Sequence, residues 1–178
     1  MNKIYECIYN NKTKKIIVIL AFITLLTYTL MLTNIFGVVS EFDRIYMLDL
    51  SIFYNGEEFI NNFSTIAAQQ VYYYQVIHFI DYVFILSFYP LLTIIIAKLI
   101  KKQYYFLFII PLFSMIFDFI ENMIIDLHMH YNFSKTMGTI SGVSTLLKFN
   151  FIFISIILLI IILVRKFKEN GNIKISDN

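Results

Sequence analysis

Asp81, Asp118, Glu121 and Lys148 each fall inside or at the edge of a long apolar run of the sequence. A charged side chain at the centre of a bilayer costs several kcal/mol, so such residues turn inward and find partners. Their depths match. Asp81 lies nine residues beyond Tyr72, roughly 13 Å at helical rise. Asp118 lies nine residues before Leu127, and Glu121 and Lys148 sit somewhat shallower. All four can meet in the outer half of a membrane. Three carboxyls then face one lysine, and in a low dielectric they cannot all ionise cheaply. One carboxyl paired with Lys148 stays charged and a neighbour keeps its proton. Such a site could bind the polar end of an amphiphile, or supply an acid beside a base.

The spacing around these residues is coherent. Ser114, Asp118, Glu121, Asn122 and Ile125 share one helical stripe, and His78, Asp81, Tyr82 and Tyr89 line up in the same way. Gly138, Ser141, Gly142, Thr145 and Lys148 form a third stripe. Its Gly-x-x-x-Gly spacing lets helices approach closely and would carry Lys148 into a bundle. Thr24, Thr27, Tyr28 and Asn34 make a weaker polar stripe on the first run. The candidate ligand-binding set is therefore Asp81, Asp118, Glu121, Asn122, Lys148 and His78, with no catalytic residue assigned.

Metal chemistry fits less well. His78-x-x-Asp81 and Asp118-x-x-Glu121 resemble half-sites of carboxylate-bridged bundles. Lys148 would repel a cation, however, and the Glu-x-x-His signature is missing. Asp126, His128 and His130 have ligand types suited to Zn²⁺, but they read as a solvated loop at the outer mouth. No metal and no cofactor is expected.

Four apolar runs must position these residues, at about 16–36, 72–97, 104–125 and 142–164. Each is long enough to cross a ~30 Å hydrocarbon core as a helix, and none alternates as a barrel strand would. The hydrophobic fraction of 59% and mean hydropathy of +0.74 exceed those of ordinary soluble domains. The expected architecture is all-α: one polytopic domain over 1–168 with four transmembrane helices in a bundle. The first run is longer than a signal-peptide core and lacks a small-residue cleavage site, so it reads as a retained helix. Lys3, Lys12, Lys14 and Lys15 precede the first run, Lys98, Lys101 and Lys102 link the second and third, and Arg165, Lys166, Lys168 and Lys174 follow the fourth. Only Arg44 and Lys135 lie in the other loops, so both termini are expected to be cytoplasmic. Residues 169–178 read as a disordered cytoplasmic tail. Pro90 and Pro111 each sit within a span and are expected to kink it.

The external segment, 37–71, carries Glu41, Asp43, Asp49, Glu57 and Glu58. Asn55-Gly56 is a turn signal, two acids suit a helix first turn, and Phe59, Ile60, Phe63 and Ile66 recur at helical spacing. It predicts a short amphipathic helix lying on the outer surface or capping the bundle as a lid. Tyr72, Tyr73 and Tyr74 follow at the interface.

No basic groove or phosphate loop is present, which argues against nucleic acid and nucleotides. Cys7 is the only cysteine, so no internal disulfide can form. Leu48-Asp49-Leu50, Tyr54-Asn55-Gly56-Glu57-Glu58, Asp81 with Tyr89-Pro90, Asp118-Phe119-Ile120-Glu121-Asn122 and Thr145-Leu146-Leu147-Lys148-Phe149 together resemble a group of small four-span bacterial membrane proteins. The resemblance implies a four-helix bundle in a bacterial inner membrane and supplies no activity. Asp118 and Glu121 give a weaker similarity to the emopamil-binding and sigma-2 receptor family, whose intramembrane acids bind sterols or cationic amphiphiles. The missing tryptophan, the external segment and Lys148 depart from that pattern. Three functions remain open on the sequence. The chain binds or modifies a lipid or amphiphile, or it is a structural, accessory or immunity-type protein whose polar cluster is glue. A proton-coupled transporter, if the chain forms a homo-oligomer, is the third.

Overall fold

The computed structural model describes residues 13–41, 48, 51–64, 68–131 and 134–176. The described residues contain five α-helices and no strand. They are α1 (Thr13–Glu41), α2 (Gly56–Ser64), α3 (Ala68–Leu99), α4 (Ile110–Tyr131) and α5 (Lys135–Ser176), with a 3-10 helix over Lys102–Ile109 leading into α4. Four stretches are long and apolar enough to cross a membrane: Lys14–Thr33, Tyr74–Leu99, Lys102–Tyr131 and Lys135–Lys168. The chain is thus a multi-pass membrane protein by length and composition. Asp43, Arg44 and Asp49 lie outside the described residues, and so do the side chains of Asn34, Glu41 and Tyr73.

Each helix is longer than its apolar core, because helical backbone satisfies its own polar groups beyond the point where side chains turn polar. This matters most between α4 and α5. Here α4 runs to Tyr131 and α5 begins at Lys135, so Asp126, His128 and His130 ride on the last turns of α4 rather than in a loop. At the other extreme, α5 has 42 residues and a length of about 63 Å. Its helix continues through the segment from Glu169, where a disordered tail is expected. Pro90 is enclosed in continuous α3. Pro111 differs from expectation: it is the second residue of α4, a first-turn position where a missing N–H breaks no helical bond.

The helices pack unequally. α4 and α5 lie together, α3 joins both, and α2 packs on α5. α1 packs mainly on α3. Its polar stripe does not join an internal site. Thr24 donates to Ser87 on α3 (3.0 Å), Thr27 bonds back to its own helix, and Tyr28 is half exposed beside Phe84. A single interhelical hydroxyl contact of this type contributes about 0.6 kcal/mol.

Two apolar clusters hold α3, α4 and α5. Leu48, Tyr54, Phe59, Tyr74, Ile124 and Ile125 form one at the α2 end. Leu92, Ile96, Ala97 and Phe108 form the other, backed by Leu158, Leu159 and Ile162 of α5. The ionisable residues occupy the layer between them.

The candidate ionic site and its adjoining cleft

α4 supplies the spine of the site. Ser114, Asp118, Glu121, Asn122 and Ile125 are all buried, as their common stripe predicts. Lys148 reaches this stripe from α5 and is 5% exposed. Its Nζ lies 3.0 Å from Asp118 Oδ1 and 2.6 Å from Glu121 Oε2. Both oxygens are buried and face the ammonium. The opposite oxygens are filled by hydroxyls. Tyr89 donates to Asp118 Oδ2 (2.7 Å), and Thr145 and Tyr54 donate to Glu121 Oε1. Ser114 donates to the backbone carbonyl of Lys148 (3.1 Å), which fastens α4 to α5 at the same level. Each carboxylate is thereby gripped on both edges, which is what a buried ion pair needs to offset its desolvation.

Asp81 joins this layer from α3 through a neighbour. Asn122 Nδ2 donates to Asp81 Oδ2, and the amide's own Oδ1 is buried without a hydrogen bond among the described residues. The expected ligand set is therefore gathered as an Asp118–Lys148–Glu121 triad with an Asp81–Asn122 pair beside it. His78 belongs elsewhere. Its Nδ1 lies 2.8 Å from Asp126 Oδ1, and Tyr82 donates to Asp126 Oδ2 (2.7 Å). Asp126 is thus a structured partner rather than a loop residue. His128 packs edge-on against Phe59 and Phe63, so the Asp126, His128 and His130 set diverges instead of converging on a metal.

The lid explains the small-residue stripe of α5. Asn55 Oδ1 accepts from the N–H groups of Glu57 and Glu58, and Glu58 accepts from the Asn55 N–H. This reciprocal pairing starts α2. Tyr54 stacks on Phe59 across the cap, with ring centroids 6.1 Å apart, a hydrophobic staple that fixes the direction of the incoming chain. That chain lies directly on α5. A Cβ on Gly142 would sit 1.8 Å from the Tyr54 carbonyl oxygen, and one on Gly56 would sit 1.9 Å from the Lys135 carbonyl oxygen. Gly138 faces Phe59. The Gly-x-x-x-Gly face thus receives Tyr54 and α2 rather than another span. Through this close approach the Tyr54 hydroxyl descends to Ser141 (2.6 Å) and to Glu121 (3.4 Å). At the rim, Glu57 pairs with Lys135 (2.7 Å), and that hydrogen bond and charge hold its carboxyl below the ordinary value.

Sequence reasoning missed Tyr54 and Asp126 as site residues. Tyr54 is signalled by an aromatic on each side of an Asn-x-x-Glu cap. Asp126 is signalled only by its place one turn beyond Asn122 on the same stripe. The triad is closed: Glu121, Ser141 and Thr145 are wholly buried. Open space lies nearer the end of α4, between it and α3. There a cleft of about 300 Å³ is lined by Gln75, His78, Phe79, Tyr82, Asp126 and His130.

No protein-family model, curated protein or solved structure matches this chain.

Proposed function

We propose that this chain is a four-helix bundle of the bacterial cell membrane that binds a lipid or amphiphile in the outer half of the bilayer. The observation that carries the reading is the cleft between α3 and α4, in whose wall His78 and Tyr82 hold the half-exposed Asp126. The Asp118–Lys148–Glu121 triad joins α4 to α5, and Tyr89 and the Asp81–Asn122 pair tie α3 to α4, the two helices that form the cleft. The alternative is a structural or accessory protein in which the whole layer is glue. The burial of the triad, with both acids held by Lys148 and by hydroxyls of the protein, favours that second reading. Thermal unfolding in detergent with and without total lipid extract separates the two. Binding predicts that lipid raises Tm and that Asp126→Asn, at the cleft, reduces the rise. Glue predicts no lipid-dependent shift in either protein.

The basic residues beside α1, α3 and α5 support cytoplasmic termini, with α2 outside. In a chain carrying Cys7→Ser, a cysteine at Glu57 should react with an impermeant maleimide in intact cells. A cysteine at Lys101 should react only after permeabilisation. Equal labelling of both positions would overturn this orientation.

A further inference from the structure

We propose that the α3–α4 cleft seats the ammonium head of an aminophospholipid drawn from the surrounding leaflet. This deepens the lipid-binding reading and rests on it. The argument begins with position. Gln75 and His130 lie one residue inside the ends of their apolar stretches, at Tyr74 and Tyr131, and Asp126 lies five residues inside. The cleft therefore spans the headgroup level and the first few ångströms beneath it, roughly 1.5 Å per residue along each helix. It opens sideways, because Phe79 on its wall is 71% exposed and faces the zone where acyl chains run. A lipid can enter without leaving its leaflet.

The lining selects the head. Asp126 is 31% exposed while its partner His78 is 1% exposed. The carboxylate is thus held from behind by an imidazole and a phenol, and its open side faces the cleft. No lysine or arginine lines the space. Asp126 meets the buried His78 on one side, and on its open side a carboxylate of fixed direction with no lysine or arginine before it attracts a positive group. The rings of Tyr82 and Phe79 add faces on which an ammonium can rest. An anionic head would meet Asp126 with no compensating charge. The ammonium of an aminophospholipid fits at Asp126, with its phosphate outward beside Gln75 and exposed His130 and its chains along Phe79.

The test uses the purified full chain in detergent, with three probes of identical acyl chains: phosphatidylethanolamine, its N-acylated derivative, which lacks the ammonium, and phosphatidylglycerol. Phosphatidylethanolamine should raise Tm by about 5 °C or more at saturating concentration, and the other two by less than half as much. Asp126→Asn preserves the shape and one carbonyl acceptor, and should bring the three lipids level. Gln75→Lys, which places a cation in the cleft mouth, should do the same and serves if Asp126→Asn does not fold. Equal shifts from all three probes in the unaltered protein, or a surviving phosphatidylethanolamine preference in both variants, would overturn the headgroup assignment while leaving lipid binding in place. No shift from any probe would overturn both.

Discussion

Replacing Lys148 with methionine should be the most damaging single change in this chain. The side chain that remains is of similar length, so the loss is one of charge. Asp118 and Glu121 would then face each other across a buried space with nothing between their inner oxygens, which now lie 3.0 and 2.6 Å from the ammonium. Removing one partner of a buried ion pair costs on the order of 3–5 kcal/mol, since the orphaned charge stays desolvated. For a chain of this size that is a fall in Tm of about 10 °C or more, or failure to accumulate in the membrane. A companion variant isolates the cause. Lys148→Met combined with Asp118→Asn and Glu121→Gln carries no unpaired charge and retains acceptors for Tyr89, Tyr54 and Thr145. It should recover a large part of the lost stability. Thermal unfolding of the three proteins in one detergent decides the matter. If the single and triple variants melt together, the triad is not held by attraction between its lysine and its two acids.

The second large effect should come from one added methyl group. Gly142→Ala places a carbon on the Tyr54 carbonyl oxygen, at 1.8 Å in the present backbone. Both groups belong to main chain or its first atom, so no side-chain rotation relieves the overlap. Either α5 or the lid must move. The lid helix α2 is short, nine residues against the 42 of α5, and it should be the part that yields, at a cost of roughly 3 kcal/mol, the upper end for overpacking. Its departure would uncover Ser141, now buried under the Tyr54 hydroxyl. A Ser141→Cys reporter in a Cys7→Ser background should therefore be inert to maleimide with Gly142 present and should label at least ten-fold faster with alanine there. An unchanged labelling rate would mean that the tight approach is not what holds the lid.

The four spans were legible because a membrane imposes one requirement on each, a run of apolar residues long enough to cross. The stripe from Ser114 to Ile125 was legible for a related reason: a polar face within such a run must point at other protein. Lys148 facing Asp118 and Glu121 followed from depth and face together. The lid did not yield to this reasoning. Amphipathic spacing in α2 is compatible with lying on the surface or sealing a bundle. Only the seating of Tyr54 against Gly142, a main-chain approach invisible in hydropathy, separates the two. His78 was grouped with Asp81 because they share a helix face. Helix α4 runs on past its apolar core and carries Asp126 to His78, and helix ends are where apolar length is a poor guide. α1 misled in the opposite direction, since Thr24 and Thr27 bond one neighbour or their own backbone and need no central site.

The order of groups along the chain has a consequence for synthesis. The acids of α4 leave the ribosome before the lysine of α5 does, and Tyr54 leaves it before either. Until the last helix is inserted, Asp118 and Glu121 lack their cation and the lid lacks the groove on which it rests. Closure of the protein is therefore deferred to the end of translation, and a nascent chain halted after α4 would present the insertion machinery with two uncompensated carboxyls.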